Sequence, residues 1–226
     1  MRRSQIVLAI VAGLALVASG ATVALRADGQ TPPGARAGAP APDRTKPQKL
    51  GITTGTRARY KVTEQLAGIS FPSEAVGTTE SITGAFVVNP DGSFAQDSKI
   101  TVDLKTLSSD QSLRDNYIQT RTLETDKFQF LEIVPKRTDG LAAPLPAGAQ
   151  AQAGFQLVTD MTLHGVTKET IWNVVAVFGN TSVGGRATTT VTFADFKMTK
   201  PSLARLLSVD DKIQLEIEFR CTREGM

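Results

Sequence analysis

The chain has 226 residues, 41% hydrophobic and 21% charged, the proportions of a globular protein with one domain, or one domain and an appendage. Its single Cys (Cys221) excludes an internal disulfide and a cysteine-built zinc site, its single His (His164) leaves little room for a His-rich metal centre or a Cys–His pair, and 6% aromatics argue against a stacking platform for nucleic acid. The formal charge of +3 comes from the N-terminal segment: residues 1–50 hold seven Lys/Arg and two acids, leaving 18 bases against 20 interspersed acids in residues 51–226, so no global pull toward DNA or RNA is expected.

Residues 1–25 begin with Arg2 and Arg3 and continue through 20 uncharged positions, IVLAIVAGLALVASGATVAL. That length suits a membrane-spanning helix. The layout (basic start, apolar middle, then Ala18, Ser19, Gly20 and Ala21) also suits a cleaved secretory signal. Both readings stand, and either places the rest of the chain outside the cytoplasm, as a single-pass membrane protein or as a periplasmic or secreted one. No Cys follows the apolar run, which argues against a lipoprotein anchor. Residues 26–50 are rich in Pro, Gly and Ala and read as a semi-extended tether.

Residues 51–226 are long enough to bury roughly 70% of their unfolded surface. Their dominant pattern has period two. Tyr60 and Val62 alternate with Lys61 and Thr63; Ile82 and Phe86 share a face in a strand that ends at the turn Asn89-Pro90-Asp91-Gly92; Ile100, Val102 and Leu104 alternate with polar residues over 99–105. Residues 108–130 break the pattern: Leu113, Tyr117, Ile118 and Leu123 approach helical spacing and predict a short helix over 112–119, inserted between strands at one end of a barrel. Residues 137–152 read as a flexible hairpin loop. Period two returns with Phe155, Leu157, Met161 and Leu163, and His164-Gly165-Val166 turns the chain. Residues 170–178, including Trp172, are apolar on both faces and predict a strand that also packs on something outside the sheet; residues 186–193 are a further β-branched run. Residues 212–220 alternate without a fault, Ile213, Leu215, Ile217 and Phe219 opposing Lys212, Gln214, Glu216, Glu218 and Arg220. One dry and one wet face per strand points to antiparallel sheet, and many short strands point to a sandwich or barrel.

Chemistry-bearing residues are sparse. His164 has Asp160 and Glu169 near it in sequence, but a general base needs a positioned partner, and a turn role fits its place before Gly165. Arg114-Asp115 is an adjacent acid–base pair of the kind that is usually structural. Asp110, Asp115, Glu124 and Asp126 lack the spacing of a calcium loop, so no metal is expected. No phosphate-cradling loop, nucleophile elbow or triad stands out. The abundant resource is apolar side chains, which form either a plain core or a lumen for an apolar ligand.

Three stretches resemble the YceI-like, polyisoprenoid-binding, lipocalin-like proteins, over about residues 55–223. The first is Ser98-Lys99-Ile100-Thr101-Val102-Asp103, followed by Arg114-Asp115 and Asp126-Lys127-Phe128. The second and most specific is Thr159-Asp160-Met161-Thr162-Leu163-His164-Gly165-Val166-Thr167-Lys168. The third is Phe193-Ala194-Asp195-Phe196. The chain departs from the family pattern at Met161, where Leu is usual, at Lys197, where Gly is common, and in the longer loop 137–152.

The resemblance implies an all-β, eight-stranded antiparallel barrel with a short helical insertion, found in secreted or envelope proteins, some of which enclose an isoprenoid chain such as a quinone tail or polyprenyl lipid. No other cofactor is implied. The expected lumen residues are Ile82, Phe86, Ile100, Val102, Phe155, Leu157, Met161 and Trp172; Arg114, Asp115 and His164 are the candidates for holding a head group at the mouth. No catalytic residue is expected. Two other readings stay open: a fully packed, ligand-free barrel serving as an envelope interaction or stress protein, and an enzyme acting on a lipid head group through His164 and Asp160. Exposed strand edges and the doubly apolar 170–178 strand would allow a homodimer.

Overall fold

Successive residues of a strand face opposite sides, so the alternating runs each present one apolar face, and closure of the sheet turns all of those faces inward. The computed structural model describes residues 39–68, 70–148, 151–202 and 206–226; the expected anchor or signal at 1–25 and the tether up to residue 38 lie outside these. The strands are β1 (Gln48–Ile52), β2 (Arg57–Leu66), β3 (Ser73–Thr79), β4 (Ile82–Val88), β5 (Lys99–Asp103), β6 (Phe130–Asp139), β7 (Ala151–Leu163), β8 (Val166–Phe178), β9 (Ser182–Thr192) and β10 (Leu206–Gly225). Their order is β1-β4-β5-β6-β7-β8-β9-β10-β2-β3, closed by a β1–β10 pairing.

Ten segments make eight strands. The end of β10 pairs with β1 (Cys221 opposite Ile52, Gly225 opposite Gln48), and its earlier part pairs with β2 (Glu218 opposite Arg57, Leu206 opposite Leu66). β1 and β2 therefore act as one strand interrupted at Thr53–Thr56. β4 and β3 pair with them in the same continuous order, Gln48 opposite Val88 and Ala58 opposite Thr79, and act as the next strand. The ring is antiparallel throughout and closed by β10, while β3 ends the strand order and its outer edge meets Ser108 through a bridge with Thr78.

The tether ends earlier than the sequence suggests. Gln48, Lys49 and Leu50, read as tether, belong to β1, and Gln48 is 2% exposed. The wet face of β10 also has an exception: Glu216 is buried at 3% because Arg59 (3.0 Å), Arg186 (3.8 Å) and Lys61 (4.0 Å) from the two flanking strands gather over it. The predicted helix forms as α1 (Ser112–Tyr117) continued by a π-helical turn over Ile118–Thr122. Leu113 does not join its buried side, being 82% exposed; Ile118 and Leu123 do.

Residues 137–152 are not simply a flexible loop. β6 runs to Asp139 and β7 starts at Ala151, and between them Leu145 is buried and Leu141 packs on the core. Arg44 Nη2 donates to the Pro144 carbonyl at 2.6 Å and Arg223 Nη1 to that of Pro146 at 2.6 Å, tying the loop down from both sides. On β8, Trp172, Val174, Ala176 and Phe178 face inward. Ile171, Val175 and Val177, expected to pack on something beyond the sheet, are 43–52% exposed, and no described element covers them.

The β7–β8 turn uses two left-handed residues, His164 (φ 51°) and Gly165 (φ 71°), the backbone of a tight hairpin. Gly165 is required twice over, since a Cβ there would lie 2.6 Å from the Phe128 ring. Lys197 ends the 3-10 turn Ala194–Phe196 at φ 54°, which explains why glycine suits the position. Lys197→Gly should raise stability by about 0.5–1 kcal/mol, strain relief outweighing added chain entropy, whereas Gly165→Ala should lower it by roughly 2 kcal/mol or more. Urea midpoints of the two variants check this, and shifts of the same sign would contradict it.

A two-chambered apolar lumen as candidate functional site

The inward residues do not fill the barrel. Two chambers remain, of about 1000 Å³ and about 860 Å³ of atom-free space counted with their openings, and Trp172 and Ile217 border both. An eight-stranded barrel has room for packed side chains or one slender ligand; the space open to the centre of a water-sized sphere is about 120 Å³ in the first chamber and about 110 Å³ in the second, so both are narrow and only a thin chain would enter without displacing side chains.

The first chamber is lined by Phe86, Ile100, Phe155 and Leu157 of the expected set, joined by Phe178 and Phe219. Phe86 stacks edge-on against Phe94, 5.8 Å between centroids. The loop after β6 supplies Leu141 and Leu145 to this chamber, so the clasp of Arg44 and Arg223 on that loop sits over part of its wall. Cys221 also faces it; burial pushes its thiol up to about 12, so the group stays protonated and unreactive. The second chamber takes in Val102 with Leu104, Tyr60 and Leu215, and is covered by Ile118 and Leu123 of the helical insertion. Burial raises the Tyr60 phenol to about 12.

Two expected lumen residues border neither chamber. Ile82 (7% exposed) and Met161 (0%) are packed wholly into the core. Alternation identifies the inward face but not where along it the packing opens. The β10 residues Ile217 and Phe219 were absent from the expected lumen set although their faultless alternation marks them. Leu141 and Leu145 carry no such signal, lying in an aperiodic stretch.

The three expected head-group residues lie at the end that carries the helical insertion, each engaged by other protein groups. Arg114 is buried, its Nη2 2.7 Å from Glu64 Oε1 and its Nη1 2.5 Å from Asp110 Oδ1. Desolvation by itself would weaken its charge, but the Asp110 hydrogen bond and the attraction of Glu64 outweigh it and hold the guanidinium above its ordinary pKa. The pair pins the insertion to β2. Asp115 Oδ1 accepts from the backbone N–H (2.9 Å) and hydroxyl (2.6 Å) of Ser109, shaping the turn before α1. His164 has Nδ1 3.1 Å from the Phe196 carbonyl and Nε2 3.0 Å from Glu124 Oε2, with Phe128 packed edge-on at 4.7 Å, which joins the hairpin tip to the insertion and to the 194–196 turn. Asp160 faces Lys136 at 3.4 Å, so His164 and Asp160 are not brought together.

Arg114→Ala should cost about 3–5 kcal/mol by leaving Glu64 buried without its partner, and a second change, Glu64→Leu, should recover part of that loss; chemical denaturation of the three proteins measures both. A pH effect follows from Asp195. Hydrogen bonds first from Lys168, then from the Thr192 backbone and hydroxyl, lower its carboxyl from 3.8 to about 2. A carboxyl with a depressed folded-state pKa stabilises fully above its unfolded value, and that stabilisation is lost as pH falls through the folded value. Thermal midpoints of the native chain should therefore drop more steeply between pH 4 and pH 2 than those of Asp195→Asn; parallel curves would show that the Lys168 and Thr192 contacts contribute nothing.

Comparison with known proteins agrees with this geometry. No curated protein sequence gives a significant match. Among solved structures, a polyisoprenoid binding domain from Saccharophagus degradans, implicated in plant cell wall breakdown, superposes with a TM-score of 0.58 at 12% identity, covering 79% of this chain and 98% of that one. BcnA of Burkholderia cenocepacia gives 0.56 at 12% identity, with 75% and 98% covered. The YceI protein of Campylobacter jejuni gives 0.52 at 15% identity, with 71% and 91% covered. At such identities the likeness establishes the fold. The YceI-like domain profile matches residues 53–221, nearly the whole barrel, and the chain belongs to the YceI-like domain family.

Proposed function

We propose that the barrel binds one long apolar lipid of isoprenoid type in its lumen and carries or stores it outside the cytoplasm, as a binding protein rather than an enzyme. The observation that carries this reading is the pair of apolar chambers meeting at Trp172 and Ile217. Two narrow apolar chambers that share Trp172 and Ile217 as wall suit a thin chain more than a compact ligand. Transfer of such a chain from water gains roughly 0.8 kcal/mol per buried methylene, so affinity needs no charged constellation, and the chambers present almost none. The family assignment and the printed description of the Saccharophagus degradans domain as polyisoprenoid-binding support the ligand class. The location rests on the apolar segment 6–25, which serves as anchor or as cleaved signal.

Native mass spectrometry of the full chain purified from its own membranes should reveal one prenyl lipid per protein. Leu157→Glu and Val102→Glu place a charge in the wall of the first and second chamber, and each folded variant should lose at least about nine-tenths of that lipid, since an uncompensated carboxylate in an apolar site costs several kcal/mol. Full retention by both folded variants, or a native chain isolated empty, would sink the carrier reading.

A further inference from the structure

We infer that the barrel end carrying the helical insertion is a bilayer-docking rim, on which Phe71, Leu113 and Leu207 dip into the surface of the membrane that anchors the chain. This reaches beyond the lumen and, of the readings above, depends only on residues 6–25 being kept as the anchor.

Leu113 is 82%, Phe71 78% and Leu207 66% exposed, the three most exposed large apolar side chains among the described residues. They belong to three separate segments: the start of α1, the β2–β3 connection and the start of β10. Strand register and one ion pair bring these segments together. Arg114, next to Leu113, holds Glu64 at 2.7 Å. Glu64 lies opposite Ser73, two residues past Phe71, and two residues before Leu66, whose partner is Leu206. Tyr117 Oη accepts from the Ser202 backbone N–H at 3.3 Å, and one small cleft is lined jointly by Ala75, Tyr117, Pro201 and Leu206. A lone solvated Leu needs no explanation, but three protruding apolar side chains on one rim mark an interaction surface. Ile171, Val175 and Val177 of β8, at 43–52%, lie along the wall and protrude less.

The reach of the chain and the charge of the rim identify the occupant. Ala39 is held at the opposite end of the barrel, where Asn180 in the β8–β9 turn donates to its carbonyl at 2.6 Å. Residues 26–38 separate Ala39 from the apolar segment and span at most about 45 Å. The wall is shorter: a strand as long as the 13-residue β7 runs about 43 Å, and a tilt of about 40° leaves about 33 Å along the barrel axis. The tether therefore lets the insertion end turn down onto the same bilayer. Tethering also keeps that bilayer at high effective concentration, so a few side chains suffice to hold it. The exposed charges beside the three residues are mostly acidic among the described residues: Glu74, Asp110, Asp210 and Asp211 against Lys200 and Lys212, with Lys200 3.5 Å from Asp211. Such a rim is repelled by an anionic surface and suits a zwitterionic one, into which apolar side chains insert without counter-charges. Ile118 and Leu123 of the same insertion cover the second chamber, so docking sets that chamber beside the bilayer.

The chain's one Cys is buried and protonated, so an introduced surface thiol takes a label selectively. Full chains carrying Ser112→Cys, beside Leu113, or Asn173→Cys, on the β8 wall, are labelled with an NBD fluorophore and reconstituted in phosphatidylcholine vesicles containing doxyl-labelled lipid. The Ser112→Cys label should be quenched about fivefold more than the Asn173→Cys label. Adding Phe71→Ser and Leu207→Ser to Ser112→Cys should remove at least about half of that quenching. Both residues are exposed, so the urea midpoint should not move. Deleting residues 28–35, which leaves a link of at most about 17 Å, should abolish the quenching while the chain still floats with the vesicles. Equal quenching at the two positions, quenching untouched by the serine changes, or quenching that requires phosphatidylglycerol would each overturn the rim and leave the lumen proposal standing. So would a blue-shifted Ser112→Cys label without doxyl quenching, the sign that a second copy or another protein covers the rim. A full chain that does not float with the vesicles would remove the anchor, and the docking rim with it.

Discussion

The structure depends on one strand pairing in two places. β10 is 20 residues long and joins β9 on one side, while on the other it pairs first with β2 and then with β1. That double pairing closes the ring. A closed ring leaves few backbone groups unpaired at an edge, and it allows side chains only two destinations, lumen or solvent. The ladder hydrogen bonds hold the wall without requiring the centre to be filled. In a sandwich of two sheets, space of this size would forfeit the packing that holds the layers together.

Closure leaves two open ends, and side-chain contacts tie down the segments that cover them. At the end of the helical insertion, Arg114 binds Glu64 and Asp110, His164 joins Glu124 to the Phe196 carbonyl, and Lys168 meets Asp195. At the other, Arg223 and Arg44 grip the carbonyls of Pro146 and Pro144. The end segments cannot continue the ladder, so side chains tie them to the wall. Arg114, Asp115 and His164 are consequently engaged by other protein groups, and the lumen wall consists of apolar residues that carry no chemical signature in isolation.

This division governs what could be read from the sequence. The inward faces were legible because alternation is a local property: Ile213, Leu215, Ile217 and Phe219 announce their side, and so do Ile100 and Val102. Two kinds of information were not local. Alternation is silent on how far apart opposite walls stand, so Met161, packed solid, and Leu157, at a cavity, look alike. Nor does it reveal partners distant in the chain, as when Arg59 and Arg186 from two other strands bury Glu216, or when β1 begins at Gln48 inside a stretch that looks like a linker. Arg114-Asp115 and His164 attracted attention as chemistry for the same reason: Glu64 is 50 residues from Arg114, and Glu124 is 40 from His164.

Where opposite apolar walls do not meet, the lining forfeits contact energy, because each wall atom there lacks neighbours on one side. An enclosed indole N–H without an acceptor adds a cost of about 1–3 kcal/mol. Both penalties act on the folded state alone and at the same place, Trp172, which borders both chambers. Because the unfolded chain has no lumen, any molecule that binds in the chambers would stabilise the barrel against unfolding by mass action. Side chains large enough to fill the chambers would remove the contact penalty, so the packing deficit and the room in the lumen have one structural origin.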